Sequence, residues 1–480
     1  MPVRPARWVP LVLATALALP LLAAPADATS YDAGVSAPRE DSYYPDHGDP
    51  GVDALHYGLD LTWQRASRTL RGVADIRLRA TADAPSFQLD LGDALHVARV
   101  TVDGEQVATS HADDVLHVDA PVVADRRYDV RVVYRGTPRP TPAPTTRGDF
   151  SYVGAQVTRD GQLRTMQEPY GAFTWYPVND QPSDKALYDV QVTAPHGWAG
   201  VSNGRLVSQR RTSHATTTRF HLEHPAASYL VTLAVGPYVH RTATGPHGLP
   251  LSYWLPRGDV AHYMAALRHL PDDLQWLETR LGRYPFESAG VVVVPGASAM
   301  ETQTLVTFGR KSWGRPVDAR ETMVHELAHQ WYGDTVTPSD WRDLWMNEGM
   351  AMYLEARWSA EHTEASWHDW VQMFRIGNVD EREEQGGPGA YDPDMFATGC
   401  VYVCTAMMYE TLRKKVGDRD FWRVVRQWPH RTPDANVTRA GFERYVERVT
   451  GDELSAFFRR WLNRPTWPTT SYPPDWPPSA

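Results

Sequence analysis

Only two cysteines, Cys400 and Cys404, occur in 480 residues. A disulfide framework and a Cys-rich metal site are both excluded. Lysine is almost as scarce. Lys185, Lys311, Lys414 and Lys415 are the only lysines among 48 basic residues, a bias of coding rather than of chemistry. No apolar run beyond residue 30 approaches the ~20 residues of a spanning helix, and no internal repeat is visible. Positive charge is in deficit: the formal net charge of -10 argues against a general nucleic-acid binder. It is not acidic enough to imply a basic partner. With 42% hydrophobic and 22% charged residues the chain is globular rather than disordered. Its length calls for two or three domains.

The first thirty residues stand apart. Arg4 and Arg7 precede an apolar run from Trp8 to Leu22, broken by Pro10 and Pro20. Ala24-Pro25-Ala26 and Ala26-Asp27-Ala28 both fit a small-x-small cleavage site. This pattern predicts a secretory signal peptide over 1–28, so the mature protein is expected to be secreted, with no membrane anchor after cleavage. Residues 29–50 are Asp-, Pro- and Gly-rich and are expected to form a loose arm. From 51 to 240 the pattern has period two, as in Asp75 to Arg79 and Asp129 to Val132, which predicts an all-β domain. Thr137 to Pro144 holds four prolines and reads as a surface loop. From 241 to 464 the texture turns mostly helical, apart from a buried strand at Val291 to Val294 and an alternating edge strand expected at Glu301 to Phe308. Residues 465–480 are Pro- and Trp-rich and read as an irregular tail. The fold class is multidomain α+β.

His325-Glu326-Leu327-Ala328-His329 carries the chemistry. Asp318, with Glu321 three residues on, resembles a capping box, and no Gly or Pro follows until Gly333. On such a helix positions i and i+4 share a face, so both imidazoles reach one metal. Glu326 then stands beside the metal's open position. Eighteen residues separate His329 from Glu348. A turn marked by Pro338, then a second helix from about Trp341, would bring Glu348 to the same point. Two imidazoles and one carboxylate leave the fourth tetrahedral position to water, the arrangement of catalytic zinc. One zinc ion per chain is expected. Tyr332 and Thr335 stand where a metzincin needs Gly and His. Glu355 is read either as a partner of a ligand histidine or as a solvated helix carboxylate.

The run from His325 to Gly333 through Gln330, Trp331 and Tyr332, followed by Trp345-Met346-Asn347-Glu348-Gly349, resembles the zinc signature of the M1 family of zinc aminopeptidases. These are gluzincins of the aminopeptidase N and leukotriene A4 hydrolase type. In the β half, Trp175 to Pro182 with Lys185-Ala186 resembles the family's F-P-C-x-D-x-P-x-x-K-A segment, and Leu55-His56-Tyr57 the start of its first strand. The resemblance implies a thermolysin-like catalytic domain over 241–464. It further implies that Ser298-Ala299-Met300-Glu301-Thr302 stands for the family's G-x-M-E-N strand, which binds the substrate backbone and its amine. Thr165 to Pro169 stands for T-Q-x-E-P, which makes Glu168 a second amine ligand. Ser298, Thr302 and Met166 depart from the family residues. Val401-Tyr402-Val403-Cys404-Thr405 is similar to the context of the transition-state tyrosine, without its Gly, and makes Tyr402 the candidate, ahead of Tyr391 and Tyr409. The cap that larger members place over the site is expected to be missing.

The residues therefore predict a secreted zinc aminopeptidase acting on peptides with a free N-terminus. The catalytic residues are Glu326 and Tyr402, the metal ligands His325, His329 and Glu348, and the substrate-binding residues Glu301, Glu168, Met300 and Ala299. A zinc endopeptidase on the same core and a non-catalytic peptide-binding protein are the alternatives. Cys400 and Cys404, i and i+4, are either bridged or two buried thiols.

Overall fold

The computed structural model describes residues 31–466. The expected signal peptide and the tail from residue 467 lie outside the described residues.

The period-two segments of the first half pair as an eight-stranded sheet. Its order is Arg205–Arg211, Ala215–Ala227, Lys185–Pro195, Val52–Gln64, Thr69–Ala80, Arg127–Gly136, Leu95–Val102 and Glu105–Gln106. Along Thr69–Ala80 every second residue from Leu70 to Ala80 is buried, the burial that one-sided packing imposes on an alternating sequence. The joins are antiparallel except where Val52–Gln64 lies parallel to Lys185–Pro195, His56 opposite Leu187 through Thr62 opposite Thr193. A five-stranded sheet, Ala199–Ser202, Leu233–Gly236, Leu163–Met166, Tyr152–Val157 and Thr141–Pro142, packs into the same core. Trp175, Tyr57, Tyr134, Tyr176 and Tyr229 fill that core.

The arm is irregular, as its composition predicts, but it is not loose. The buried Asp41 carboxylate accepts from the Trp341 N–H at 2.7 Å and from the N–H groups of Tyr43 and Tyr44. Tyr44 Oη donates to the Pro393 carbonyl at 2.7 Å. Polar side chains fasten this segment, so an apolar pattern could not announce it.

In the second half a mixed sheet runs Tyr238–Thr244, Pro250–Pro256, Ala289–Val294, Val306–Gly309, Ala299–Met300. The expected boundary at 240 therefore cuts through its first strand. Pro250–Pro256, Ala289–Val294 and Val306–Gly309 are parallel, and Ala299–Met300 is an antiparallel edge. The strand expected from Glu301 to Phe308 is interrupted. The chain turns over residues 302–305, where Thr302 Oγ1 donates to the Leu305 carbonyl and Thr304 adopts φ 65°. Glu301 thus sits just past the edge strand.

Helices cover most of the rest. The signature helix is Pro316–Ala328, with Arg315 as N-cap and Pro316 in the first turn. Asp318 is its third residue rather than its cap, and accepts from the Arg315 N–H at 3.1 Å. Asp340 caps a short turn, Trp341–Asp343, through the Arg342 N–H, and the helix Trp345–His362 follows. The β-half core continues through Met300, Trp341, Leu344, Phe396 and Val401, so the two halves share buried surface around the signature residues.

Candidate active site

His325 and Glu326 ride the buried face of Pro316–Ala328, and His329 closes the helix. The next five residues, Gln330–Asp334, form a wider π-turn. Gly333 there has φ 135°, a conformation that glycine alone adopts readily, and the turn brings the Tyr332 carbonyl back to His329 Nδ1 at 3.1 Å. His325 Nδ1 is held by Glu355 Oε2 at 2.8 Å. Both Nδ1 atoms are thereby engaged as donors, which leaves each Nε2 lone pair facing the same point. Glu355 is the histidine partner of the two readings given above.

Glu348 reaches that point from Trp345–His362. Its Oε2 lies 3.2 Å from His325 Nε2 and 3.4 Å from His329 Nε2. A tetrahedron with zinc bonds of ~2.0–2.2 Å has edges of roughly 3.3–3.6 Å, so these separations fit zinc. The three ligand atoms all lie within 4.8 Å of one another. Burial alone would raise the Glu348 carboxyl, but His329 and His325 hold it well below the usual carboxylate range. Burial also opposes protonation of His325, yet hydrogen bonds to Glu348 and Glu355 raise it well above an ordinary imidazole. The donor set, its geometry and its charge suit one zinc ion.

Glu326 borders the same point, with a carboxylate oxygen within 4.8 Å of ligand atoms on Glu301 and His329. Burial, and then Glu301 and Glu348 against the two histidines, pushes it up to about 8. Glu301 and Glu168 are buried, and each has a carboxylate oxygen without a hydrogen-bond partner. Glu168, Glu301 and Glu348 bring carboxylate oxygens within 4.8 Å of one another. Burial first, and then mutual repulsion, raises Glu168 well above its ordinary value. Gln330 Nε2 donates to the Glu301 carbonyl at 2.8 Å, tying that backbone to the turn after His329.

Tyr402 lies in a second π-turn, Cys400–Cys404, closed by a Cys400–Cys404 disulfide with Cα atoms 4.8 Å apart. An α-helical turn would hold these Cα atoms farther apart, and the π-turn accommodates the bridge. The Tyr402 ring centroid is 5.9 Å from that of His325. Burial, then Glu348, raises its phenol, which stays protonated at neutral pH. The alternative tyrosines lie elsewhere: Tyr391 Oη donates to the Trp341 carbonyl at 2.8 Å, and Tyr409 is buried in the core of the second half.

A cavity of about 540 Å³ joins these groups: Met300, Ala299, Glu301, Glu168, the triad, Glu326 and Tyr402 all line it. Every residue predicted for the site is therefore in one place. Ten further lining residues were not expected there, among them Thr322, Met352, Arg147 and Asp149. Thr322 and Met352 sit one helical turn from Glu326 and Glu348, a spacing that was readable. Arg147 and Asp149 come from the loop after the proline run, and nothing local marks them. The departures from the family residues are absorbed locally. Thr302 pairs its hydroxyl with Thr307 at 2.9 Å, and Met166 Sδ lies 3.5 Å from Arg164 Nη1.

The profile of the peptidase family M1 domain matches residues 266–461, and that of the peptidase M1 N-terminal domain matches residues 53–230. The chain belongs to peptidase family M1. It is 26% identical over 439 residues to aminopeptidase N of Streptomyces lividans, covering 86% of this chain and 50% of that protein. Aminopeptidase N of Acetobacter pasteurianus is 29% identical over 330 residues, 63% of this chain and 89% of its own length. The M1 chain thus spans about half of the Streptomyces relative. Its fold superposes on the crystal structure of an M1 zinc metallopeptidase from Deinococcus radiodurans with a TM-score of 0.80 at 27% identity, over 91% of this chain and 99% of that one. A mutant of the Deinococcus enzyme, 26% identical to this chain with a TM-score of 0.79, was solved bound to a Tyr-Ser-Ala substrate.

Proposed function

We propose that this M1 protein is an exported zinc aminopeptidase that removes N-terminal residues from peptides. The observation that carries the reading is the pair Glu168 and Glu301, buried, each with an unpartnered carboxylate oxygen, beside the zinc ligands. A buried carboxylate without a partner is costly. A substrate α-ammonium, with a pKa of about 8, supplies the missing charge and donors together. It also fixes the scissile bond one residue from the chain end. The peptide found in the Deinococcus neighbour supports a peptide substrate. The signal-peptide pattern and the Cys400–Cys404 bridge support export into an oxidising compartment.

When bound, zinc supplies Lewis acidity to water and to the scissile carbonyl. Glu326, beside the ligand His325, takes the proton of the attacking water and passes it to the leaving amine. Tyr402 donates its phenol hydrogen to the oxygen on which charge develops. Ala299 and Met300 form the sheet edge where extended substrate adds as a strand.

The test compares a peptide with its N-acetylated form. Free peptide should lose residues one at a time, and the acetylated form should be cut poorly or not at all. Glu301→Ala should damage cleavage of the free peptide far more than that of the blocked one. Mass spectra showing internal cleavage of acetylated peptides at the rate of free ones would reject the aminopeptidase reading in favour of an endopeptidase.

A further inference from the structure

The stretch from Thr137 to Pro144 carries prolines at 138, 140, 142 and 144, which stiffen the backbone. It reads as an ordinary surface loop of the β half. In the structure its far end is fastened to the catalytic half, on the segment that leads into Tyr402. The Phe396 N–H donates to the Pro144 carbonyl at 2.8 Å, and Thr145 Oγ1 donates to the Phe396 carbonyl at 2.6 Å. Arg147 follows. Its Nε and Nη2 grip Asp149 at 3.2 and 2.9 Å, one bond to each carboxylate oxygen. That two-point grip fixes the plane of the guanidinium. Nη1 is then directed at the Ala397 carbonyl, 3.2 Å away, and at Tyr402 Oη, 3.0 Å away.

This geometry points to Arg147 as a positioning residue for Tyr402. The inference rests on the reading of Tyr402 as donor to the developing oxyanion. The phenol oxygen accepts from Arg147, and its own hydrogen has no acceptor among the described residues. The hydrogen is therefore free to turn into the cavity that holds the zinc ligands. A hydroxyl that accepts from a cation is also a stronger donor, because hydrogen bonds in a chain polarise one another. Arg147 thus fixes the oxygen, aims the hydrogen and strengthens the donor, acting through Tyr402. Asp149 holds Arg147 in that role. The loop carries a part of the catalytic apparatus across from the β half.

The test uses the full-length zinc-loaded enzyme and small aminoacyl substrates. Arg147→Ala should lower kcat by about 10–100-fold, the range for losing a hydrogen bond to a charged group, with KM within about twofold. Arg147→Lys should recover part of the loss, and Asp149→Asn should show a smaller loss of the same kind. Thermal midpoints identify any variant that fails to fold, and Asp149→Asn then carries the test. The decisive measurement is a double-mutant cycle. In the Tyr402→Phe background, Arg147→Ala should cost little more, because its effect acts through the hydroxyl. A readout independent of turnover is the calorimetric affinity for a phosphinic pseudo-dipeptide that mimics the tetrahedral oxyanion. Arg147→Ala should weaken it about as much as it lowers kcat, and leave the affinity for a free amino acid unchanged. Equal losses in both tyrosine backgrounds would overturn the proposal. So would a rise in KM confined to peptides with a free C-terminal carboxylate, which would make Arg147 a substrate ligand. If Tyr402→Phe alone leaves kcat unchanged, the assignment of Tyr402 fails first and removes this one with it.

Discussion

His325 and His329 show how far single residues are specified by their neighbours. Each imidazole spends its Nδ1 on a fixed partner, Glu355 for one and the Tyr332 carbonyl for the other, so the ligand nitrogen is settled before metal arrives. Glu326 lies between them in sequence and is used differently. It belongs to a cavity that Glu168, Glu301, Glu348 and Glu355 also line, and burial, then Glu301 and Glu348 against the two histidines, pushes it up to about 8. Glu326→Gln keeps the volume and the hydrogen-bonding shape but cannot accept a proton. It should bind zinc and fold like the wild type and lose about 10²–10⁴ in kcat, the range for one positioned base. Stopped assays together with metal analysis check this, and near-normal turnover in metal-replete variant would remove Glu326 from the mechanism. At this scale the grouping of His325, Glu326 and His329 was legible because i, i+4 spacing is a local property of a helix, and Glu348 followed from its distance along the chain. Glu301, Glu168 and Tyr402 were reached through resemblance, since nothing in their own neighbourhoods distinguishes them from other charged or aromatic residues. Arg147 was not reached at all. Its partner is 255 residues away, and a half-buried arginine behind a proline run carries no periodic signal.

Elements were legible where one face is buried and one is not. Thr69–Ala80 alternates in sequence because it alternates in burial. The edge strand was overextended for the same reason. Glu301 to Phe308 alternates, but the turn at 302–305 is made by threonine hydroxyls and a left-handed Thr304, and hydropathy does not see those. Glycine marks a different constraint. Gly349 stands mid-helix beside Glu348, and a Cβ there would come within 2.1 Å of Thr405 Cγ2 and 2.3 Å of Thr405 Cβ. Thr405 is fully buried at the start of the helix Thr405–Val416, and its branched side chain is stiff. Alanine gains about 1 kcal/mol of helix propensity over glycine. Overpacking a buried contact costs typically ~1–3 kcal/mol, and here the obstructing atoms are close to the backbone. Gly349→Ala should therefore be destabilised by about 1–2 kcal/mol in denaturant melts. Its zinc should be lost to a competing chelator more readily, because separating the two helices moves Glu348. A variant at least as stable as wild type, with unchanged zinc retention, would mean that the helices part without consequence for the ligand.

For the whole molecule, the concentration of carboxylates at the junction of the two halves couples metal, protons and stability. In the metal-free protein His325 and His329 are both raised: burial opposes this, and the surrounding glutamates overcome it. Zinc needs both imidazoles neutral, so protons compete with the metal. As pH rises from 6 to 8 fewer protons must be displaced, and zinc affinity should increase, by roughly tenfold per pH unit for each proton released. The stability of the metal-free protein moves the other way through these groups. A histidine whose folded pKa is raised contributes stability in full below its unfolded value of about 6.5, and loses that contribution as pH rises through the folded value. The metal-free form is thus weakened on the alkaline side just where zinc binds more tightly. Bound at 100 times its dissociation constant, zinc adds about 2.7 kcal/mol to the folded state. At fixed free zinc, the gap in thermal midpoint between zinc-loaded and metal-free protein should therefore be wider at pH 8 than at pH 6. Calorimetric zinc titrations in two buffers of different ionisation enthalpy should show net proton release, with the tighter binding at pH 8. Affinity and midpoint gap that stay level across this range would place the histidine protons elsewhere, and would detach the zinc site from the carboxylates packed around it.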